Sequence, residues 1–496
     1  MTTKVVKGSF WNLVGQVAPL IVTFVCTPFV IRLLGTESYG VYILIGLIPS
    51  YFTFADFGMG MASTKFGAAA FGEGDEPLEA RIVRTSALIA LGASTPIAAG
   101  IMIFADKILV SLNVPPELQT TAVLALRLGA VLFVVNLLNN IFNTPQLSRL
   151  RMDLNSAVNA VPRVAAVVAT PIVIWLGFGI VGAVSVQLIF AVVTLLAHIG
   201  VSQRLLPHLL GTTFDRASIR PMLAFGSSMV LAMIGSLFLV NAEKLVLVRS
   251  TDVTTLAHYS IAYTLANTLT LFSLAMGQSL MPAFSQLTRP ERRSQLDSLY
   301  SRTLRINVFV LPPLLVGAAC VARPFLTLWA GADFGRESTL PFYLFLIGLY
   351  VNLNAYIPWA LVLAFGRSDL LAKSYWIQVL PYTGVMLALT MWYGAPGAAA
   401  AWSLRVIVDA FILGIFAKRV SGVTTGLRRY LPTFGMAVLI MLPTILIITF
   451  MNSNYLWLVP VAVVSYGVYF VMLWKRVIDS DEKRWLRNKA EALGVA

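Results

Sequence analysis

Charge is scarce in this sequence. Only 12% of its 496 residues are Asp, Glu, Lys or Arg, where soluble proteins carry about 25%. That shortage excludes an ordinary water-soluble globular protein. Histidine is scarcer still: His198, His208 and His258 are the full set, and they are scattered. They offer no metal-ligand spacing, and no phosphate-cradling glycine loop or nucleophile elbow occurs elsewhere. No cofactor is implied. The two cysteines, Cys26 and Cys320, lie in apolar runs far apart, which argues against a disulfide framework. No low-complexity tract or soluble domain interrupts the chain.

Apolar residues are what it has, at 58%, and they come in runs long enough to span a bilayer. The first two runs form a hairpin with a short polar hinge, Leu34 to Ser38. Pro19 and Pro28 interrupt the first, Pro49 interrupts the second, and Asp56 sits inside apolar sequence. A simple anchor needs none of these. Helix breaks survive in a membrane where neighbouring helices or a water-filled cavity satisfy the freed backbone groups. The first run is too long for a cleaved signal and is expected to act as an uncleaved one.

The hairpin carries a pattern. Gly8-Ser9 opens it. Arg32, Leu33, Leu34, Gly35, Glu37, Tyr39 and Gly40 form its turn, and Asp56, Phe57 and Gly58 follow near the end of the second helix. This resembles the polysaccharide transporter family, the O-antigen (Wzx-type) flippases of the multidrug/oligosaccharidyl-lipid/polysaccharide superfamily. The resemblance implies flipping of a polyprenyl-pyrophosphate-linked oligosaccharide from the cytoplasmic to the outer leaflet. It also implies an inner-membrane location and a place in O-antigen, capsule or exopolysaccharide synthesis, beside a polysaccharide polymerase machinery.

Fourteen spans are expected, at 9–33, 38–63, 82–104, 118–142, 154–176, 180–203, 221–248, 254–281, 303–329, 339–365, 370–392, 397–417, 430–450 and 455–475. Most of the 36 lysines and arginines then fall on one side if both termini are cytoplasmic. Arg32, Lys107, Arg249, Arg323 and Arg336 fall at the outer ends or loops. The net charge of +14 thus reflects membrane topology and not nucleic-acid binding. The longest outer loop, 105–117, has only Asp106 and Glu117 as acids, too few for a polymerase, ligase or glycosyltransferase.

The chain repeats itself. Arg-Met-Asp-Leu at 151–154 matches Arg-Ser-Asp-Leu at 367–370, an offset of 216. Gly179, Gly182 and Ala183 match Gly394, Gly397 and Ala398 at 215, and Gly8-Ser9 matches Gly226-Ser227 at 218. The expected fold is all-α: two six-helix lobes related by a pseudo-two-fold axis along the membrane normal, plus two appended helices. The lobes are 1–203 and 221–417, the cytoplasmic linker 204–220, the added helices 418–476 and the cytoplasmic tail 477–496. The added helices could offer the substrate's lipid a groove, as in the related lipid II flippases. In the tail, Trp485 and Leu486 suit either an interfacial helix or a solvated end.

An ionised group at mid-bilayer costs roughly 2.5–3.5 kcal/mol and asks for a reason. Arg127 lies roughly 13 Å from the outer end of span four, at 1.5 Å per residue. Arg163 is comparably deep in span five, one turn after Asn159, and Arg405 is inside span twelve. A guanidinium fork grips phosphate oxygens and keeps its charge, so these three are candidate substrate contacts. The other reading is a packing role, and for Arg405 a partner waits one turn away in Asp409. Lys244 is a fourth candidate, although snorkelling explains it equally; its neighbour Glu243 points about 100° away. Asp56 and Asp409 are candidate sites for a coupling proton or sodium ion, against local structural roles.

Asn136, Asn139, Asn140 and Asn143 make one polar stripe on span four. Arg127 is half a turn out of phase with it. One of the two faces lines a cavity and the other packs a neighbour; spacing leaves both assignments open. Asn12, Gln16, Asn241, Asn267, Gln278, Asn352 and Asn354 suit sugar hydroxyls or ordinary interhelical bonds. The rival function is a cation-coupled multidrug antiporter of the same superfamily, whose cavity would favour acids and aromatics. The deep arginines tilt the reading toward an anionic substrate.

Overall fold

The computed structural model describes residues 2–149, 151–270, 280, 284–285, 287–423 and 458–476. The expected span 430–450, Gln278, Trp485, Leu486 and the tail 477–496 lie outside the described residues. So do the side chains of Asn12 and Gln16. Within the described residues every regular element is helical. The fold is all-α, as expected. It divides into two compact units, Met1–Ser260 and Ile261–Ala496. These bounds follow packing, whereas the lobe bounds above follow sequence repetition.

In the first unit α1 spans Thr2–Leu34, α2 Thr36–Ser50, α3 Met59–Glu73, α4 Glu76–Ser111 and α5 Pro116–Phe142. Next come α6 Thr144–Ser148, α7 Met152–Val173, α8 Gly179–Leu205 and α9 Arg216–Ser250, then α10 Val253–Thr268, which crosses the division. Helix starts follow local chemistry: Asp75 accepts the Leu78 N–H at 2.8 Å to cap α4, and Asp215 accepts the Ser218 N–H at 3.1 Å to cap α9.

The second span was expected over 38–63 with an interruption at Pro49, and it is split there. α2 ends beside Pro49, a 3-10 turn covers Thr53–Asp56, and α3 starts at Met59. Asp56 mends the break: its carboxylate accepts the Gly58 N–H at 2.8 Å and the Gly60 N–H at 3.2 Å. Those donors are orphaned at a helix start. The turn glycine Gly40 has a different reason. A Cβ there would lie 1.9 Å from the Val253 carbonyl oxygen, so only a hydrogen lets α2 approach the start of α10.

The apolar core of this unit joins α2, α4 and α5 through Leu44, Ile45, Ile101, Leu109, Leu126 and Phe133. At the other end Met59, Val83, Ile141 and Leu206 form a second cluster. A buried ion pair braces that end. Arg149 reaches Glu79 at 2.7 Å, with side chains 9% and 0% exposed, and its guanidinium sits 4.5 Å over the Phe71 ring. Arg84 holds the linker. It donates to the Thr213 carbonyl at 2.9 Å, the Thr213 hydroxyl at 2.9 Å and the His208 carbonyl at 2.6 Å.

In the second unit α11 spans Arg293–Ala330, α12 Ala332–Glu337, α13 Thr339–Ala364, α14 Ser368–Ser421 and α15 Leu458–Arg476. Tyr263, Phe345 and Trp402 pack edge to face, and Ser403 donates to the Leu344 carbonyl at 2.7 Å to tie α14 to α13. On α15 the Tyr466 hydroxyl donates to the Pro313 carbonyl of α11 at 2.5 Å.

The repeated landmarks adopt matching geometry in the two units. Arg151 clamps Asp153 through Nε and Nη2, both at 3.0 Å; Arg367 clamps Asp369 in the same way at 2.9 and 3.1 Å. Gly179 turns with φ 52° and ψ −142°, and Gly394 with φ 59° and ψ −132°. Side-chain-bearing residues rarely take that conformation. Expected spans five and six meet at the first glycine, and eleven and twelve, which run on within α14, meet at the second.

Two outcomes are expected from this packing. Glu79→Gln keeps the side-chain shape but leaves the buried Arg149 charge only the more distant Glu76 carboxylate at 3.8 Å, which should cost up to about 3–5 kcal/mol. Thermal unfolding in detergent should show it, and Glu79→Gln with Arg149→Met should recover part. Gly40→Ala should lower the melting temperature through overpacking worth about 1–3 kcal/mol, with loss of folded protein in a size-exclusion profile.

Candidate functional site

Two cavities open in the first unit, of about 1040 Å³ and about 640 Å³. Both exceed the lower limit of ordinary ligand pockets. The break in the second span supplies one wall of the larger: Ser50, Thr53, Asp56, Gly58 and Gly60 line it, with Ile43, Met61, Leu132 and Phe133 as apolar surface. The smaller is polar. α1 contributes Thr23, Cys26 and Thr27, α7 contributes Asn159, Arg163 and Thr170, and α8 contributes Gln187 and Thr194. Tyr42, Leu132, Asn136, Asn140 and Gln187 line both cavities, and Gln187 Nε2 donates to the Tyr42 hydroxyl on this shared wall.

The open question on span four thus has an answer. Asn136, Asn140 and Asn143 face the larger cavity, and Asn136, Asn139 and Asn140 the smaller. Arg127 lines neither. It is exposed on the opposite face, and its Nε donates to the Met102 carbonyl of α4 at 3.2 Å. Asn139 Nδ2 donates to the Ala191 carbonyl at 3.2 Å, while its Oδ1 and that of Asn143 have no partner among the described residues. Arg163 is the deep arginine that shares a chamber with the asparagines.

The other candidates fall elsewhere. Lys244 donates to Asn241 Oδ1 at 2.9 Å, and Glu243 accepts from the Tyr259 hydroxyl at 3.2 Å, so the adjacent pair does diverge. In the second unit Arg405 and Asp409 are not an ion pair among the described residues. Asp409 Oδ1 accepts from Ser374 Oγ at 2.9 Å and Gln378 Nε2 at 2.7 Å. Arg405 lies 5.8 Å from the centre of the Tyr382 ring, and its buried Nε has no partner among the described residues. No group of three or more His, Cys, Asp or Glu side chains is placed to hold a metal among the described residues.

Sequence reasoning passed over one network. Fully buried His198 meets Gln146 Nε2 through Nδ1 at 3.0 Å and Asn159 Oδ1 through Nε2 at 3.4 Å. Gln146 also donates to Ser202 at 3.2 Å. The amide donor assigns Nδ1 as acceptor and leaves Nε2–H for Asn159, behind the Arg163 wall. A lone histidine in an apolar run gives no sign of such partners, because they come from α6, α7 and α8.

A family model described as "Polysaccharide biosynthesis protein" matches residues 5–288. The chain belongs to this family. A Shigella flexneri protein named "Putative O-antigen transporter" is 22% identical to it over 410 residues, covering 83% of this chain and 97% of that one. Among solved structures, a lipid II flippase MurJ in an inward closed conformation matches with a TM-score of 0.72 at 13% identity, over 94% of this chain and 99% of that one. An inward-facing multidrug resistance MATE transporter of the MOP superfamily matches with a TM-score of 0.67 at 15% identity, over 83% and 98%. The fold of this polysaccharide biosynthesis family member is therefore the one these multi-pass membrane proteins share. The family match spans every residue of both cavities.

Cys26 supplies a native probe of the polar cavity. In a Cys320→Ala protein, an anionic methanethiosulfonate should modify Cys26 several-fold faster, relative to a neutral one, than it does with Arg163→Gln added. The fixed positive charge concentrates the anion. Rates measured by mass spectrometry check this, and an unchanged anionic-to-neutral ratio would remove Arg163 from the cavity's field.

Proposed function

We propose that this chain carries a polyprenyl-pyrophosphate-linked oligosaccharide from the cytoplasmic to the outer leaflet of the inner membrane, by alternating access, for surface polysaccharide synthesis. The observation that carries the reading is the polar chamber in which Arg163 shares walls with Asn136, Asn139, Asn140 and Asn159. A guanidinium grips phosphate oxygens with two parallel N–H donors. Carboxamides offer both donors and acceptors to hydroxyls. The printed names of the Shigella protein and of MurJ support the same class of cargo. The six-helix lobes 1–203 and 221–417 are the moving bodies in this scheme, with both termini cytoplasmic and the product passed to a polymerase machinery.

Arg163 is the principal anion contact in this proposal. Arg127 and Lys244 are secondary, because each already has a protein partner, and Arg405 is secondary because it lines neither cavity of the first unit. Of the two candidate coupling acids, Asp56 uses both carboxylate oxygens on backbone amides. Asp409 concentrates two hydrogen bonds on one oxygen. A proton or sodium ion is therefore better placed at Asp409. The rival reading, a cation-coupled multidrug antiporter, draws on the MATE likeness. Transport of a lipophilic cation with no movement of lipid-linked sugar would favour it.

In proteoliposomes holding a labelled lipid-linked oligosaccharide, Arg163→Ala should cut leaflet transfer tenfold or more. A lost charge-assisted hydrogen bond is worth about 1.5–3 kcal/mol. Arg163→Lys should rescue in part, Asn136→Leu with Asn140→Leu should impair transfer, and Arg127→Ala should do far less. Full transfer by Arg163→Ala at normal abundance would overturn the cationic site.

A further inference from the structure

The two glycine hairpins share a property that the cavities do not use. At the first tip Trp175, Leu176 and Phe178 are 73%, 58% and 65% exposed; at the second Met391, Trp392 and Tyr393 are 69%, 75% and 65% exposed. Neither hairpin has a charge near its tip. Residues 164–203 contain no Asp, Glu, Lys or Arg, and neither do residues 374–404. The open ends of the same hairpins are cationic, with Arg151 and Arg204 on the first and Arg367, Lys418 and Arg419 on the second. Other turns at the far ends of spanning helices are charged: Asp106 and Lys107 flank one, and Asp333, Arg336 and Glu337 mark another.

Three environments are available to such a tip. Bulk water would leave three large apolar side chains together in the open, which soluble surfaces avoid. The hydrocarbon core would strand the backbone groups freed where the helix breaks at Gly179 and Gly394. The headgroup layer satisfies both demands. Indole and phenol rings rest there with their apolar bodies toward the acyl chains and their polar atoms toward water.

We infer that the tips at 174–179 and 391–394 are lipid-binding anchors seated in the phospholipid headgroup layer, one on each half of the repeat. The occupant is the phospholipid interface itself, on the side opposite the arginine-rich ends. The geometry argues for a built feature. Two segments at one repeat offset carry the same turn glycine, Gly179 and Gly394, and a close-packed glycine three residues on. Exposed large side chains stand just before each turn, Phe178 matching Tyr393 and Leu176 matching Met391, and each segment adds one exposed tryptophan. Gly182 has its missing Cβ 2.4 Å from Phe178 Cβ, and Gly397 has its own 3.1 Å from Tyr393 Cβ. Each glycine thereby lets the helix pass close to the base of an exposed aromatic side chain, and Gly397 also passes close to the Leu389 carbonyl. This inference does not depend on the transport reading.

The test is depth. In full-length protein with Cys26→Ala and Cys320→Ala, a nitroxide placed at Leu176→Cys or Met391→Cys is measured in phospholipid vesicles by power-saturation spin resonance. Glu117→Cys serves as the aqueous reference. Relaxation by oxygen should exceed relaxation by a water-soluble nickel chelate at both tips, at a depth near the headgroups. A nickel response equal to that at Glu117→Cys would put the tips in water and overturn the inference, as would a mid-bilayer depth. Dipolar broadening between copies would also overturn it, by showing the tips covered by a second chain. Should the cysteine-free background fold poorly, Trp175→Phe and Trp392→Phe in the native background give the same answer. Each loss should remove fluorescence that shallow brominated lipids quench more than deep ones, and equal or reversed quenching counts against the anchors.

Discussion

The carboxylate of Asp56 on the amides of Gly58 and Gly60 is the contact on which the first unit's cavity depends. A membrane helix cannot simply stop, because every freed N–H in a low-dielectric setting must find an acceptor. α2 ends at Ser50, one residue past Pro49, and Asp56 supplies the acceptors that let α3 begin. The gap between them gives the larger cavity one wall. An unbroken helix over 38–63 would fill that space with its own side chains. One buried acid thus turns a spanning helix into a cavity wall, and its cost is met by two backbone donors.

Much of this was legible in the sequence. Helix type and the duplication follow from apolar runs and from short glycine and Arg-x-Asp motifs, which act locally. Arg151 needs only Asp153, two residues away, so the motif carries its geometry with it. The same holds for the turn at Gly179, whose repeat at Gly394 has nearly the same dihedral angles. Pro49 and Asp56 both marked the second span as irregular. The interruption at Pro49 was expected; its extent, a 3-10 turn and a second helix start capped by Asp56, was not, because apolar residues continue on both sides and hydropathy does not register a change of helix axis.

The candidate site was less legible, for a physical reason. Periodicity says which residues share a helix face, but not which neighbour that face meets. Arg127 and the asparagine stripe were correctly set on opposite faces of α5. Only packing decided that the stripe meets the cavities and that the arginine meets the Met102 carbonyl. Long-range partners are similarly silent. Glu79 and Arg149 are 70 residues apart, and His198 joins three helices. Neither shows a local pattern in sequence. Both matter for the same reason, that buried polar groups must be matched wherever the chain brings them together.

Charge bookkeeping sets the last constraint on mechanism. A pyrophosphate brings about two negative charges, and an inside-negative potential favours moving each outward by roughly 2.3 kcal/mol per 100 mV. Arg163 is the cation lining the polar cavity, so a chamber loaded with pyrophosphate would keep about one net negative charge and its outward movement would still be favoured. The empty chamber would return with one positive charge, a step the same potential also favours, since inward movement of a cation runs downhill. A site with several exposed arginines would gain more on the empty return but less on the loaded step. Each added cation cancels cargo charge and, beyond about two, makes the outward step uphill. Such a site would also hold its cargo harder. Arg127, on the other face of α5 against the Met102 carbonyl, adds no charge to the polar cavity, whereas Lys65 lines the adjoining larger one. In the proposed scheme neutral amides would supply further contacts without adding to that charge.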